Sequence, residues 1–312
     1  MTVRDRAAAL AGARPAGRFF EGAEERRVPL SGGGEIFCRI MGAGPPLLLL
    51  HGYPQTSAMW HAVAPELARD FRVICADLRG YGASHKPAGG GDHAAYSKRA
   101  MAGDMVEVMQ ALGHERFAVL SHDRGARVAH RLAADHPARV RALAILDIAP
   151  TREMYREART PFAHAYWHWY WLTLPAPFPE EMIAQDPDRF WLWKCDTPPA
   201  GLAPFCREAL EEYLSAFATP EAIHASCEDY RAAATIDIAH DDAETGRIGT
   251  PLLVLWGADG AIEAHFDCLA LWRERATTVE GQAIPGGHYL AEECPERVLA
   301  EVGPFLKLHA ED

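Results

Sequence analysis

The feature that most constrains the fold is a run of β-forming residues that passes directly into an amphipathic helix at 117–133, FAVLSHDRGARVAHRLA. Strand-like segments recur on both sides of it, including PPLLLLHG, FRVICADLRG and VRALAILDIAP, with helical patterns between them. Alternating strands and helices form βαβ units, in which helices cover a parallel sheet. The unbroken apolar run at 46–50 is typical of a strand buried on both faces. The sequence therefore predicts an α/β fold built on a mostly parallel sheet flanked by helices.

The alternation of strands and helices is interrupted once. From 151 to about 235 the chain is rich in aromatic residues and prolines, as in PFAHAYWHWYWLTLPAPFPEEM, and shows no convincing buried strand. The alternation returns with TPLLVLWGADG. We therefore expect an N-terminal part of the core at 1–150, an inserted helical cap at 151–235 and a C-terminal part of the core at 236–312. The crevice between cap and core is the expected ligand site.

Charge and composition exclude several classes of protein. A net charge of −12 over 312 residues argues against binding to nucleic acid or to an anionic membrane surface. No apolar run is long enough to span a membrane. The seven cysteines are scattered without a CxxC motif, which predicts reduced thiols and a cytoplasmic location. The N-terminal segment MTVRDRAAALAGARPAGR lacks the apolar stretch of a signal peptide, and we expect it to be a loosely packed extension.

The turn at SHDRG has the outline of a nucleophile elbow, in which a strained residue between a strand and a helix projects from the sheet edge. Asp123 holds the position at which an esterase carries serine, and small residues, Ser121 and Gly125, flank it. An aspartate that merely caps an ordinary helix would give the same local pattern. A serine esterase is excluded because the chain contains no Gly-x-Ser-x-Gly.

Other segments supply partners for such a nucleophile. LLLLHGYP places Tyr53 after a buried strand, where its backbone N–H would pair with that of Arg124 to form an oxyanion hole. DLRGYGAS ends the next strand, and we assign Asp77 and Arg79 a structural role in bracing nearby loops. GGHYLAEE places His288 near the C-terminus, in the chain order expected of the general base.

The acid that would orient this base has two candidates. Hydrolases of this architecture often carry it in a pattern like W-G-x-x-D, but here that position is Gly260 and Asp259 comes one residue early. The other location is the end of the strand after the elbow helix, where LAILDIAP supplies Asp147. We favour Asp147, although an aspartate there could simply cap the following turn.

With these motifs in place, the sequence resembles the α/β-hydrolase superfamily and, within it, the haloacetate dehalogenases, whose best-known members are the fluoroacetate dehalogenases. The motif HDRGxR, followed by a cap HW and then EDYR, is more specific than HGxP or DxRGxG, which hydrolases of many activities share. The resemblance implies an α/β-hydrolase core with a helical cap, often as a homodimer, that converts a small 2-haloacid to a 2-hydroxy acid and halide without a cofactor.

The resemblance also implies a role for each matching residue. They are a nucleophile, Asp123; a base with its orienting acid, His288 and Asp147; binders of the substrate carboxylate, Arg124 and Arg127; and halide donors, His168, Trp169 and Tyr230. The chemistry is consistent with these roles, because guanidiniums match a carboxylate in plane and would keep the nucleophile ionised. Donors on a dry cap would replace the hydration shell of the departing halide. His164 and His168 are spaced like a metal-binding pair, but no third ligand lies nearby, so we expect no metal.

Three other activities remain as alternatives. An epoxide hydrolase uses the same Asp-His-Asp logic with two cap tyrosines, of which Tyr230 could be one. Arg127 would have no clear use with a neutral epoxide, and the same argument disfavours a haloalkane dehalogenase. A non-catalytic ligand receptor on this fold is a further alternative, against which the intact nucleophile, acid and base argue.

Overall fold

The structure, a computed structural model, describes residues 5–309. Within these residues eight strands form one sheet with the order β1-β2-β4-β3-β5-β6-β7-β8. The strands are β1 (Glu24–Pro29), β2 (Glu35–Met41), β3 (Pro46–Leu50), β4 (Arg72–Ala76), β5 (Phe117–His122), β6 (Val140–Leu146), β7 (Leu252–Gly257) and β8 (Val279–Ile284). β2 pairs antiparallel with both β1 and β4, and all the other neighbouring strands are parallel. The predicted α/β fold with a mostly parallel sheet is confirmed.

The sheet is covered by helices on both faces, as βαβ connections require. The helices are α1 (Arg6–Gly12), α2 (Ala64–Leu67), α3 (Lys98–Ala111), α4 (Asp123–Asp135), α5 (Thr151–Glu157), α6 (Thr160–Ala165), α7 (His168–Trp171), α8 (Phe178–Ala184), α9 (Pro187–Cys195), α10 (Arg207–Phe217), α11 (Pro220–Ala234), α12 (Ile236–Ala243), α13 (Ala261–His265), α14 (Cys268–Arg275), α15 (Leu290–Glu293) and α16 (Pro295–His309). The central strand β3 is buried along its leucines, and its neighbour β5 is buried at every position. These apolar strands form the middle of the core.

Helices α5 to α12 all lie between β6 and β7, and the structure assigns no strand to residues 147–251. The helical character expected for this insertion is therefore observed. Aromatic packing holds it together, because the ring of Trp169 lies 4.8 Å from that of Tyr155 and 5.5 Å from that of Phe162. Such pairs stabilise a cluster beyond the area that they bury.

The N-terminal segment differs from expectation. The prediction of a loosely packed extension is wrong for the residues described, because helix α1 packs against α9 and α10. Arg207 donates from Nε to the carbonyl of Leu10 at 3.1 Å, and the N–H of Ala16 donates to Glu208 at 2.8 Å. These contacts bind the segment to the inserted helices. Residues 1–4 of the predicted extension lie outside the described residues.

Two further properties bear on the sequence predictions. All seven cysteines are free thiols, and six of them are buried. Across residues 5–309, every helix is too short or too polar to cross a membrane.

Candidate active site

The nucleophile elbow forms where β5 meets α4. Asp123 is the first residue of α4 and has a φ of +44°, a strained conformation for a residue other than glycine. Ser121 braces the strand by donating to the carbonyl of Ala144 on β6 at 3.1 Å. Gly125 packs so closely on β3 that an added Cβ would lie 2.4 Å from the carbonyl oxygen of His51. The packing of the turn therefore requires glycine at 125, while Ser121 joins β5 to β6.

The Asp123 carboxylate is buried and held in one orientation. Its Oδ2 accepts a hydrogen bond from the backbone N–H of Tyr53 at 2.9 Å. Burial alone would raise the pKa of this carboxyl, but the charges of His288, Arg127 and Arg124 outweigh it and lower the pKa from 3.8 to about 2. The group is consequently ionised near neutral pH, as a carboxylate nucleophile must be.

The two backbone groups predicted for an oxyanion hole flank this carboxylate. Tyr53 follows β3, and its N–H already contacts Oδ2 of Asp123. Arg124 lies in the first turn of α4, where backbone N–H groups lack partners within the helix. The local positive end of the helix favours negative charge at this point.

His288 follows β8 and faces the end of β6. Its Nδ1 donates to Oδ2 of Asp147 at 2.6 Å, while Oδ1 of Asp147 accepts from the N–H of Gly257 at 2.9 Å. Asp147 has a φ of +52°. The backbone is therefore strained at both Asp123 and Asp147, which supply the two carboxylates of the site. Asp259, the competing candidate, is exposed and has no hydrogen bond to His288. The structure thus brings Asp147, and not Asp259, to the histidine.

Two residues beside His288 were not identified from the sequence. His122 donates from Nε2 to the backbone carbonyl of His288 at 2.8 Å, and burial lowers the pKa of this imidazole to about 3, so it is neutral. Tyr166 places its Oη 3.3 Å from Nδ1 of His288. The only sequence signal for His122 is its place directly before the nucleophile, and Tyr166 is one of several adjacent aromatic residues.

Arg124 is completely buried and already has an anionic partner. Its Nε and Nη2 donate to the carboxylate of Asp229 at 2.9 and 2.7 Å. Asp229 also pairs with Lys98 and accepts from Tyr81 at 2.5 Å. The remaining nitrogen of Arg124, Nη1, has no hydrogen-bond partner, and the guanidinium lies 4.3 Å from the ring centroid of Tyr230. One edge of the guanidinium therefore stays available for a ligand.

Arg127 is buried one helical turn beyond Asp123, and no salt bridge joins it to any carboxylate in residues 5–309. Its polar contacts are neutral: Nη1 donates to Oγ1 of Thr151 at 3.0 Å and Nη2 to Sδ of Met154 at 3.3 Å. Nε has no partner, and the guanidinium lies 4.7 Å from the ring of Trp169. A buried cation without a carboxylate partner is costly, so Arg127 is suited to binding an anion.

The three predicted halide donors lie together around these arginines. The ring of His168 lies 5.6 Å from that of Tyr230, and the ring of Trp169 lies 6.5 Å from it. All three side chains are buried, and each has a polar atom without a hydrogen-bond partner: His168 Nδ1, Trp169 Nε1 and Tyr230 Oη. Burial lowers the pKa of His168 far below its usual value, so its ring is neutral and carries a single N–H.

A metal site is not formed by these residues. His164 is exposed whereas His168 is buried, so the two side chains do not converge. No group of three or more potential ligands is found in the described part of the chain.

The structural role expected for Asp77 and Arg79 is confirmed. Asp77 accepts from the backbone N–H groups of Ser57 at 2.7 Å and Ala83 at 2.8 Å, and so joins two loops. Arg79 donates from Nε to Asp104 on α3 at 2.7 Å. Both residues brace the sheet edge without contacting Asp123.

Comparisons with known proteins agree with this geometry. Residues 45–295 match the family model for the alpha/beta hydrolase fold. A fluoroacetate dehalogenase from Burkholderia sp is 47% identical over 294 residues, which cover 92% of this chain and 95% of that protein. The chain belongs to the haloacetate dehalogenase family of α/β hydrolases. The family resemblance of the sequence is thereby confirmed.

The chain is also similar to an epoxide hydrolase and to a further α/β hydrolase of known structure. A soluble epoxide hydrolase from Corynebacterium sp. (strain C12) is 33% identical over 83% of this chain and 88% of that protein. The crystal structure of an alpha/beta hydrolase from Nostoc sp PCC 7120 superposes with a TM-score of 0.89 at 50% identity, covering 92% of this chain and 99% of that one. The fold is shared among these proteins, so the residues of the site must distinguish their chemistry.

Proposed function

We propose that this protein hydrolyses the carbon–halide bond of a short 2-haloacid such as a haloacetate, giving the 2-hydroxy acid and halide. The observation that carries this proposal is a cluster of buried polar atoms without partners beside an ionised carboxylate. These atoms are Arg124 Nη1, Arg127 Nε, His168 Nδ1, Trp169 Nε1 and Tyr230 Oη. Buried polar groups are normally hydrogen-bonded, so such a cluster is typical of a binding site. Its cations suit a carboxylate and its neutral donors suit a halide.

In the first step Asp123 attacks the α-carbon of the substrate. The Tyr53 N–H holds Oδ2, which leaves Oδ1 as the nucleophilic oxygen. Arg127 and the free edge of Arg124 bind the substrate carboxylate, so proximity favours displacement. The C–halide bond breaks as the Oδ1–C bond forms, and the halide leaves with the electron pair. His168, Trp169 and Tyr230 donate hydrogen bonds to it.

In the second step water hydrolyses the ester that Asp123 has formed. His288 donates from Nδ1 to Asp147, so its Nε2 accepts the proton of a water that attacks Cγ of Asp123. Negative charge develops on Oδ2, which the N–H groups of Tyr53 and Arg124 stabilise. The bond between Cγ and Oδ1 of Asp123 then breaks, so the 2-hydroxy acid leaves with Oδ1. His288 returns the proton to this oxygen.

An epoxide hydrolase is the second candidate, and one observation favours it. Tyr166 and Tyr230 both lie among the inserted helices near Asp123, and two cap tyrosines are what epoxide opening requires. The unpaired guanidinium of Arg127 favours the haloacid, because a neutral epoxide offers no partner for a buried cation.

The proposal is tested by supplying fluoroacetate, chloroacetate and 2-chloropropionate and measuring the halide released. We expect release from at least one haloacetate, and the comparison also shows whether fluoride is cleaved. Diol formation from styrene oxide, without halide release from any haloacid, would overturn the proposal in favour of epoxide hydrolysis.

We further propose that residues 151–235 form a cap domain, that the protein is a homodimer and that it is cytoplasmic. Several large apolar side chains on α7 to α9 are exposed: Tyr170 at 39%, Phe178 at 52%, Met182 at 55% and Trp193 at 58%. Exposed apolar side chains of this kind suit a contact between copies. Light scattering that gives the mass of one 34.3 kDa chain would contradict the homodimer.

The free thiols support the proposed cytoplasmic location, because they suit a reducing compartment.

A further inference from the structure

A cavity of about 490 Å³ lies between the inserted helices and the core, and it borders the cluster already described. Tyr166 and His168 line it from the inserted helices, and His288 lines it from the core. It also reaches the exposed side chains of Trp193 and Asp259. The cavity therefore connects the protein surface with two histidines of the candidate site, His168 and His288.

One wall of this cavity carries a buried ammonium group. Lys194, near the end of α9, is 8% exposed, and its Nζ donates to Oη of Tyr289 at 3.4 Å. The same Nζ lies 5.9 Å from the ring centroids of both Tyr53 and Tyr289. No salt bridge joins Lys194 to a carboxylate within residues 5–309. A buried cation held only by a phenol and ring faces can interact favourably with an anion that enters the cavity.

The charges around the cavity favour this role for Lys194. The whole chain carries a net charge of −12, which repels a small carboxylate. Asp196 and Asp259 also line the cavity, but Asp259 is exposed and Asp196 is half-buried, so solvent screens them more than it screens Lys194. Lys194 is the only lysine or arginine among the described residues that line this cavity.

We propose that Lys194 is a specificity-determining residue that captures the substrate carboxylate in this cavity and passes it to Arg127 and Arg124. This inference rests on the proposed function, since it supplies the route by which an anionic haloacid reaches Asp123. Capture by Lys194 raises the rate at which the substrate binds, and it selects haloacids over neutral organic halides. It leaves the chemical steps at Asp123 unchanged.

The test compares Lys194→Met with wild type, with Lys194→Arg retaining the charge. Lys307→Met is the matched control, because it removes the same charge from an exposed side chain on α16 that pairs with Asp70 at 2.7 Å. We expect Lys194→Met to lower kcat/KM for chloroacetate about tenfold, with kcat changed less than about twofold. Lys194→Arg and Lys307→Met should stay close to wild type. Lys194→Gln, which can still bond Tyr289, makes the same comparison if the methionine variant unfolds.

An unchanged kcat/KM in Lys194→Met, or a fall in kcat with KM unchanged, would overturn the proposal. The binding of acetate, measured by calorimetry, requires no turnover. This measurement therefore separates a failure of capture by Lys194 from a failure of the proposed function. Acetate should bind several-fold more weakly to Lys194→Met than to Lys307→Met. If wild type releases no halide but this difference appears, capture by Lys194 stands and the dehalogenase proposal fails. If Lys194→Met and Lys307→Met bind acetate with equal affinity, the proposed capture of the substrate by Lys194 is overturned.

Discussion

At the scale of single residues, the site depends on two strained carboxylates, Asp123 and Asp147, at the ends of neighbouring parallel strands. Both positions could be predicted, because a motif such as HDRG places a residue type directly on a structural position. The pairing of Arg124 with Asp229 could not be predicted, since 105 residues separate them and only the fold brings them together. The sequence therefore made the two arginines look equivalent, whereas Arg127 is the one without a carboxylate partner.

The proposed halide donors give a prediction at this scale. Tyr230→Phe removes one hydroxyl donor and keeps the ring against Arg124. Because fluoride is a strong hydrogen-bond acceptor and a poor leaving group, kcat/KM for fluoroacetate should fall about 100-fold and that for chloroacetate about tenfold. Tyr170→Phe, which changes an exposed hydroxyl on the same set of inserted helices, is the control and should change neither. Equal losses with both substrates would argue against halide binding by Tyr230.

The depressed pKa of Asp123 gives a second prediction. The folded protein favours the ionised carboxylate, so this group stabilises the fold above its ordinary pKa of 3.8, and the contribution is lost as the pH falls through about 2. We expect wild type to lose about 2 kcal/mol of unfolding free energy relative to Asp123→Asn across this interval. Urea unfolding of both proteins at several acidic pH values measures the difference. A constant difference would show that the fold does not favour the ionised form.

At the scale of elements, apolar strands and the long helices were predictable because their burial patterns are strong. Strand β1 could not be predicted, because its sequence, EERRVP, is charged and mostly exposed at the sheet edge. The helical pattern at 57–70 forms only a 3-10 turn, Ser57–Trp60, followed by the short α2, and the helical pattern at 94–113 begins with a separate turn before α3. Tertiary contacts decided these details, and local sequence does not encode such contacts.

The elbow helix supplies a prediction at this scale. Gly125→Ala places a methyl group against the β3 backbone, since the nearest carbonyl oxygens would be 2.4 and 2.6 Å from the new Cβ. We expect a loss of about 1–3 kcal/mol in unfolding free energy, measured by urea titration. Gly103→Ala in α3 is the matched control, because its Cβ meets nothing within 4 Å and the change should stabilise by about 1 kcal/mol. Equal effects of the two substitutions would mean that the elbow can relax.

At the scale of the whole molecule, a parallel sheet gathers groups that lie far apart in the chain. Tyr53, Asp123, Asp147 and His288 each follow the carboxyl end of a strand, so they meet at one edge. The order of these residues could be predicted from the βαβ pattern. The inserted helices could be predicted only as helical, because contacts such as that between Tyr166 and His288 depend on how they lie over the sheet.

The covalent intermediate on Asp123 is the central claim, and isotope incorporation tests it most directly. A single turnover of excess enzyme with chloroacetate in ¹⁸O-water is followed by mass spectrometry of the peptide that contains Asp123 and of the glycolate. Because water attacks Cγ of Asp123 and Oδ1 leaves with the product, we predict the label in Asp123 and unlabelled glycolate. Label found directly in glycolate, with none in Asp123, would contradict the account.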